Sequence, residues 1–205
     1  MRRCSVLTGI AFLVGVLSIS GVAMAASNVN ESPAVATLFG ETVTATDPAE
    51  LQRTILSALF DEYAREHEIK ADDFEIDAFV DSLRRGMAEH GLTAENELTP
   101  DEAAELQVAR REMARSIIRQ WKINRSLYRE YGGRIIYQQL GPEPLDAYRK
   151  FLEDRSAQGA FVIHDEALAK DFWLYFTDES KHDFMEPGGA DEQRAFSSPP
   201  WEGLE

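Results

Sequence analysis

The sequence contains a single cysteine, Cys4, and it stands inside an N-terminal apolar run. Residues 26–205 therefore hold no thiol. They can form no disulfide, no Cys-ligated metal site and no thiol nucleophile. Long apolar runs are scarce as well. After residue 25 no stretch approaches the length that spans a bilayer. Basic residues are few, 21 Lys and Arg against 36 Asp and Glu. All the acids follow residue 25, so from Ala26 onward 19 basic residues face 36 acids, a formal charge of −17. Such a surface repels nucleic acid and anionic lipid. There is no G-x-S-x-G and no phosphate-binding glycine loop. "EPGGADE" contains glycine but has the wrong charge for phosphate. The four histidines, His67, His90, His164 and His182, have no metal-ligand spacing and read as surface or capping residues. The carboxylates are abundant without forming an acid/base pair, and read as solvated faces. These absences lead us to expect no catalytic set, no metal and no cofactor.

What is present begins with the N-terminus. "MRR" supplies positive charge, "VLTGIAFLVGVLSISGV" is apolar, and Ala23-Met24-Ala25 is a small-x-small cleavage site. That is the pattern of a secretory signal peptide over residues 1–25, cleaved after Ala25. It implies a periplasmic location. Residues 26–33 are polar and read as a flexible lead. About 180 further residues amount to one domain with a real core. No internal repeat is evident.

The stretch 34–48, "AVATLFGETVTATDP", reads as strand, turn, strand and helix start. Asp47 can cap and Pro48 suits the first helical position. Leu51, Ile55, Leu59 and Tyr63, with Leu56 and Phe60 beside them, predict an amphipathic helix over roughly 48–68. Asp72 and Glu75 form a cap-like pair ahead of a second helix, with Ile76, Phe79, Val80, Leu83 and Met87 on its apolar face. Residues 88–98 read as a loop. Thr99-Pro100-Asp101-Glu102 is a strong start signal. From there nothing breaks a helix until Gly132-Gly133. After the glycines "RIIYQQL" is a strand or a helix continuation, interrupted at Gly141-Pro142. "EPLDAYRKFLEDRSA" reads as a helix with Leu145, Tyr148 and Leu152 on its buried face. "AFVI" is a short strand, and "HDEALAKDFWLYF" a helix with Asp165 as cap. Residues 178–205 are rich in charge, Gly, Ser and Pro, and composition predicts a disordered acidic tail with Trp201 isolated in it. Two strands alone are not stable in water, so "RIIY" or "AFVI" must pair with the opening ones. The fold class is mainly α: a helical cradle with one long central helix and a small β element closed by a later strand.

The long helix carries one non-random charge feature. At 100° per residue, Arg111, Arg115, Arg119, Lys122, Arg125 and Arg129 share a stripe about 120° wide. Leu106, Met113, Ile117, Trp121, Tyr128 and Tyr131 fall nearly opposite. Residues 110–134 hold eight basic residues against two acids, while residues 47–81 hold three against eleven. The preferred reading pairs the ridge with the acidic helices or leaves it solvated. The functional reading is a docking ridge for an acidic partner segment. Trp121 is expected in the core against the first two helices.

"VATLFGETVTATD" resembles the start of the SurA-type periplasmic chaperone domain, where Val-Ala-x-Val-Asn-Gly-x-x-Ile-Thr precedes the first long helix. "LFDEYAREHEIKADDFEIDAFV" resembles that family's next segment, with Ala64, Glu68, Ile69, Glu75 and Ile76 at the matching positions. The helix from Thr99 fits the family's third large helix, so the likeness covers residues 34–131. Phe39 stands where Asn is usual before the turn Gly, which leaves the turn type open. Glu68 replaces the usual helix-ending Gly. "GGRIIYQQLGPEPLDAYRKFLED" stands where larger members carry a parvulin isomerase domain. The resemblance implies a SurA-like helical chaperone domain over 34–177. It implies an ATP-independent holdase whose partners are unfolded or partly folded envelope proteins, held by apolar contact in a cradle. The alternatives are an assembly or scaffold protein with one dedicated envelope partner, and a peptidyl-prolyl isomerase by family association alone.

Overall fold

The computed structural model describes residues 34–92, 98–139, 141–199 and 201. The segments read as signal peptide and flexible lead lie outside the described residues. The protein is mainly helical, with a small antiparallel sheet. Strands β1 (Ala36–Leu38) and β2 (Glu41–Val43) form a hairpin, followed by helices α1 (Pro48–Glu66), α2 (Asp73–Glu89) and α3 (Pro100–Tyr131). Then come α4 (Leu145–Ala157), β3 (Phe161–Ile163), α5 (Glu166–Thr177), a 3₁₀ turn (Glu179–Lys181) and α6 (Ala190–Ala195). Among the described residues no helix is long and apolar enough to cross a membrane.

The hairpin turns on Phe39 and Gly40, whose φ values are 51° and 84°. Primed turns match strand twist in two-residue hairpins, and the type I′ form needs left-handed backbone at both central positions, as here. β1 is the middle strand, in the order β2-β1-β3. Ala36 pairs with Val43 on one side and Ile163 on the other. "AFVI" is thus the strand that closes the sheet. "RIIY" does not join it: Ile136 makes isolated bridges to Glu143 and Phe184.

The helix starts follow their caps. Asp47 accepts from the Glu50 amide, Thr99 from the Glu102 amide, and Asp165 from the Leu168 amide. Asp72 and Glu75 complete a capping box. Helix α3 ends at Gly132, where φ is 62°. At Gly133 φ is 99°, and a Cβ there would sit 2.4 Å from Asp146 Cβ, so both conformation and space call for glycine.

Two apolar clusters share α3. The larger joins Leu51, Ile55, Leu59 and Tyr63 of α1 to Leu127 of α3, Phe151 of α4, Phe172 of α5 and the sheet. The smaller joins Ile76 and Val80 of α2 to Ala114, Ile118 and Trp121 of α3, and to Ile135, Met185, Phe196 and Trp201. A helix gripped from two sides has no single apolar stripe. Of the six stripe residues expected from the sequence only Trp121 is buried, and Met113 is 41% exposed. The buried set of α3 includes the small Ala114 and the polar Arg110 and Asn124 instead.

The C-terminal segment corrects an expectation. Residues 178–199 and 201 are folded, not a disordered tail, and they deliver Met185, Phe196 and Trp201 to the second cluster. Averaged composition hides four or five apolar anchors among many acids; the anchors bind while the acids face water. The Trp201 ring meets Trp121 edge-on at 5.6 Å. Trp121 is core, but its neighbours come from α2 and this segment.

Candidate functional site

The basic ridge is mostly spent inside the molecule. Arg111 bonds Asp77 and lies 3.4 Å from Asp73, both on α2. Arg119 reaches Asp61 of α1 at 2.8 Å. Lys122 reaches Glu75 of α2 at 2.6 Å and the Lys70 carbonyl at 2.8 Å. Arg115 pairs with Glu112 on its own helix. Arg125 lies 4.6 Å over the Trp121 ring, and burial together with its neighbour Arg129 lowers its pKa. The ridge is thus a seam that fastens α3 to α1 and α2. Each exposed pair contributes little, on the order of 0–1 kcal/mol, but the set fixes register between helices.

The histidines are scattered. His67 and His90 follow α1 and α2 as C-caps. His164 bonds Thr37 Oγ1 at 2.7 Å, and His182 bonds the Tyr175 carbonyl at 2.6 Å. Among the described residues no three His, Cys, Asp or Glu are grouped to hold a metal.

The feature the sequence reading missed is an open cleft of about 670 Å³ between α1, α3 and the 138–143 link. Arg53, Leu56 and Ser57 of α1 face it, with Gln120 and Asn124 of α3 and Gln138, Glu143 and Tyr148 beyond. Its floor is a fixed polar network. Gln120 Nε2 donates to Asn124 Oδ1 and to the Tyr148 hydroxyl, both at 2.9 Å. Tyr148 donates to Asn124 Oδ1, and Asn124 Nδ2 donates to the Pro142 carbonyl at 3.0 Å. Burial pushes the Tyr148 phenol well above its ordinary pKa, so it stays a neutral donor.

Glu143 stands beside this network. Its backbone pairs with Ile136 in both directions, at 2.9 and 3.2 Å. Tyr175 donates to Glu143 Oε1 at 2.9 Å and accepts from Gln138 Nε2 at 3.2 Å. Burial raises the Glu143 pKa, against opposing effects of the Tyr175 bond and His182. The only sequence signals here were the Gly141-Pro142 interruption and amide residues on a helix already counted as basic.

What fold and site define is a class: a small mainly helical protein whose long central helix presents an open, amide-lined cleft. Comparison with protein-family models, with curated proteins and with solved structures finds no match.

Proposed function

We propose that the protein binds extended segments of other envelope polypeptides without consuming ATP, as a holding chaperone. The observation that carries this reading is the open cleft of about 670 Å³ lined by Gln120, Asn124, Gln138 and Tyr148. Side-chain amides both donate and accept, which suits a bare peptide backbone of any sequence. The likeness of residues 34–131 to the SurA-type domain supports the same reading. So does the strong net negative charge, which keeps a binding protein soluble. Envelope location rests on residues 1–25 read as a signal; an intact mass beginning at Ala26 in the exported protein tests it.

One observation favours a second reading, a dedicated partner. The lining mixes polar and apolar groups about equally, where a promiscuous cradle is apolar. Among the described residues, the exposed large apolar ones are Phe39, Phe74, Leu92, Val108, Met113, Tyr137 and Val162, spread over several elements. The test is suppression of aggregation of an unfolded outer-membrane protein, run beside a proline-isomerisation assay. A photo-crosslinker at Ser57 reports occupancy of the cleft. Holding predicts suppressed aggregation and many crosslinked species; a dedicated partner predicts one species and no suppression. Accelerated isomerisation with aggregation unaffected overturns both.

A further inference from the structure

We infer that Glu143 selects what the cleft binds, and that the segment taken there presents a lysine or arginine to its carboxylate. This rests on the polypeptide-binding reading and adds the chemistry of the bound segment.

The carboxyl is held in place and left underused. Its backbone is clamped to Ile136 from both sides, and the preceding Pro142 carbonyl is tied to Asn124. An ionised carboxylate offers about four lone-pair sites. Tyr175 fills one of them. Glu143 makes no ion pair among the described residues. The cleft also holds two basic groups, Arg119, which is bound to Asp61, and Arg53 of α1, and neither makes an ion pair with Glu143.

The charged and titratable groups around Glu143 come from every element packed on it. Tyr148 of α4 and Tyr175 of α5 have phenols raised by burial, so they face it as neutral groups. His182, after the 3₁₀ turn, is felt through space and is already bonded to the Tyr175 carbonyl. Gln120, Asn124 and Gln138 are neutral. A carboxylate removed from water without a cation is costly, and a cation brought alongside favours its ionised form. The cleft supplies the carboxylate, neutral side chains immediately around it and the opening; the ligand supplies the cation. The long-range field of an acidic protein draws basic segments toward it.

The experiment uses the full chain and fluorescein-labelled ten-residue Ala/Ser peptides that differ only at one central position, carrying Lys, Arg, norleucine or Glu. Anisotropy is read at pH 5 and pH 8 at fixed ionic strength, with the Ser57 crosslinker reporting occupancy. The Lys and Arg peptides should bind about tenfold more tightly than norleucine at pH 8, and the Glu peptide most weakly. The preference should shrink from pH 8 to pH 5, because the raised pKa of Glu143 brings its carboxyl closer to protonation as pH falls. Glu143→Gln should erase the preference, so that the Lys, Arg and norleucine peptides bind alike, while the melting temperature is intact or improved. Glu143→Asp, which withdraws the carboxylate by one methylene, should weaken it. If all peptides crosslink in the cleft with equal affinity, the inference fails and the binding reading stands. If no peptide crosslinks there, both fail.

Discussion

Phe39 and Glu68 hold positive φ, at 51° and 53°, without being glycine. Glu68 follows α1 and closes its end: the Ile69 amide bonds the Ala64 carbonyl at 2.8 Å across it. A side chain in the left-handed region costs about 1 kcal/mol, part of which a glycine gives back through unfolded-state freedom. Glu68→Gly should therefore raise stability by roughly 0.5–1 kcal/mol, about 1–4 °C in a protein of this size, read by thermal melting. Phe39→Asn, which tolerates the same backbone, should act in the same direction. Glu143 offers a second test at this scale. Its pKa is raised in the fold by burial, so it destabilises the fold once ionised. The folded state then binds more protons than the unfolded one between the two pKa values, and stability falls as pH rises through that window. Glu143→Gln should match the parent in acid and exceed it above the raised pKa; equal melting curves at both ends would contradict this. Caps such as Asp47, Thr99 and Asp165 are legible in sequence because a cap is a bargain among residues three apart. Glu143 is not, because the side-chain partner that defines its setting, Tyr175, arrives from 32 residues further along the chain.

At the scale of elements, α3 is unevenly anchored. Its first turns are exposed, and the first buried residue is Arg110. The Thr99 capping box secures an end that packs on little. Thr99→Ala should cost that end about 1 kcal/mol. The loss should appear as faster hydrogen exchange at Ala103–Leu106, with the global melting temperature barely moved, because local opening there does not require unfolding the core. The C-terminal segment behaves oppositely. Trp201 is 6% exposed, and Ser82 Oγ donates to its carbonyl at 3.2 Å. Trp201→Ala should cost about 3–5 kcal/mol, the range for a large core aromatic, measured by denaturant unfolding. A cost near zero would restore the disordered-tail expectation. The elements themselves were legible because five helices carry clean start signals or apolar periodicity. Which face of α3 is buried was not, since two layers press on it and ion pairs cover Asp73, Asp77 and Glu75.

At the scale of the molecule, the sheet governs. β1 lies between a neighbour five residues away and one more than a hundred residues away in sequence. In the β1–β3 ladder the Phe39 amide bonds the Ala160 carbonyl at 2.7 Å and the His164 amide bonds the Val35 carbonyl at 2.8 Å, with the Thr37–Val162 pair between them. Val162→Pro removes one ladder donor from a half-exposed position, without opening a cavity. It should lower global stability by roughly 1–3 kcal/mol. If only the local amides exchange faster and the denaturation midpoint is unchanged, the sheet is ornamental and this view is wrong.

The same strand order sets a clock on synthesis. The second partner of β1 does not exist until Phe161–Ile163 has been made, so this strand must wait for one more than a hundred residues further along the chain. At typical elongation rates of about 5–20 residues per second, that wait is roughly 6–25 s. During it Val35, Ala36 and Leu38, all buried in the finished protein, have no sheet to complete. The nascent sheet cannot lock from β1 outward; it stays open until about four-fifths of the chain has been made.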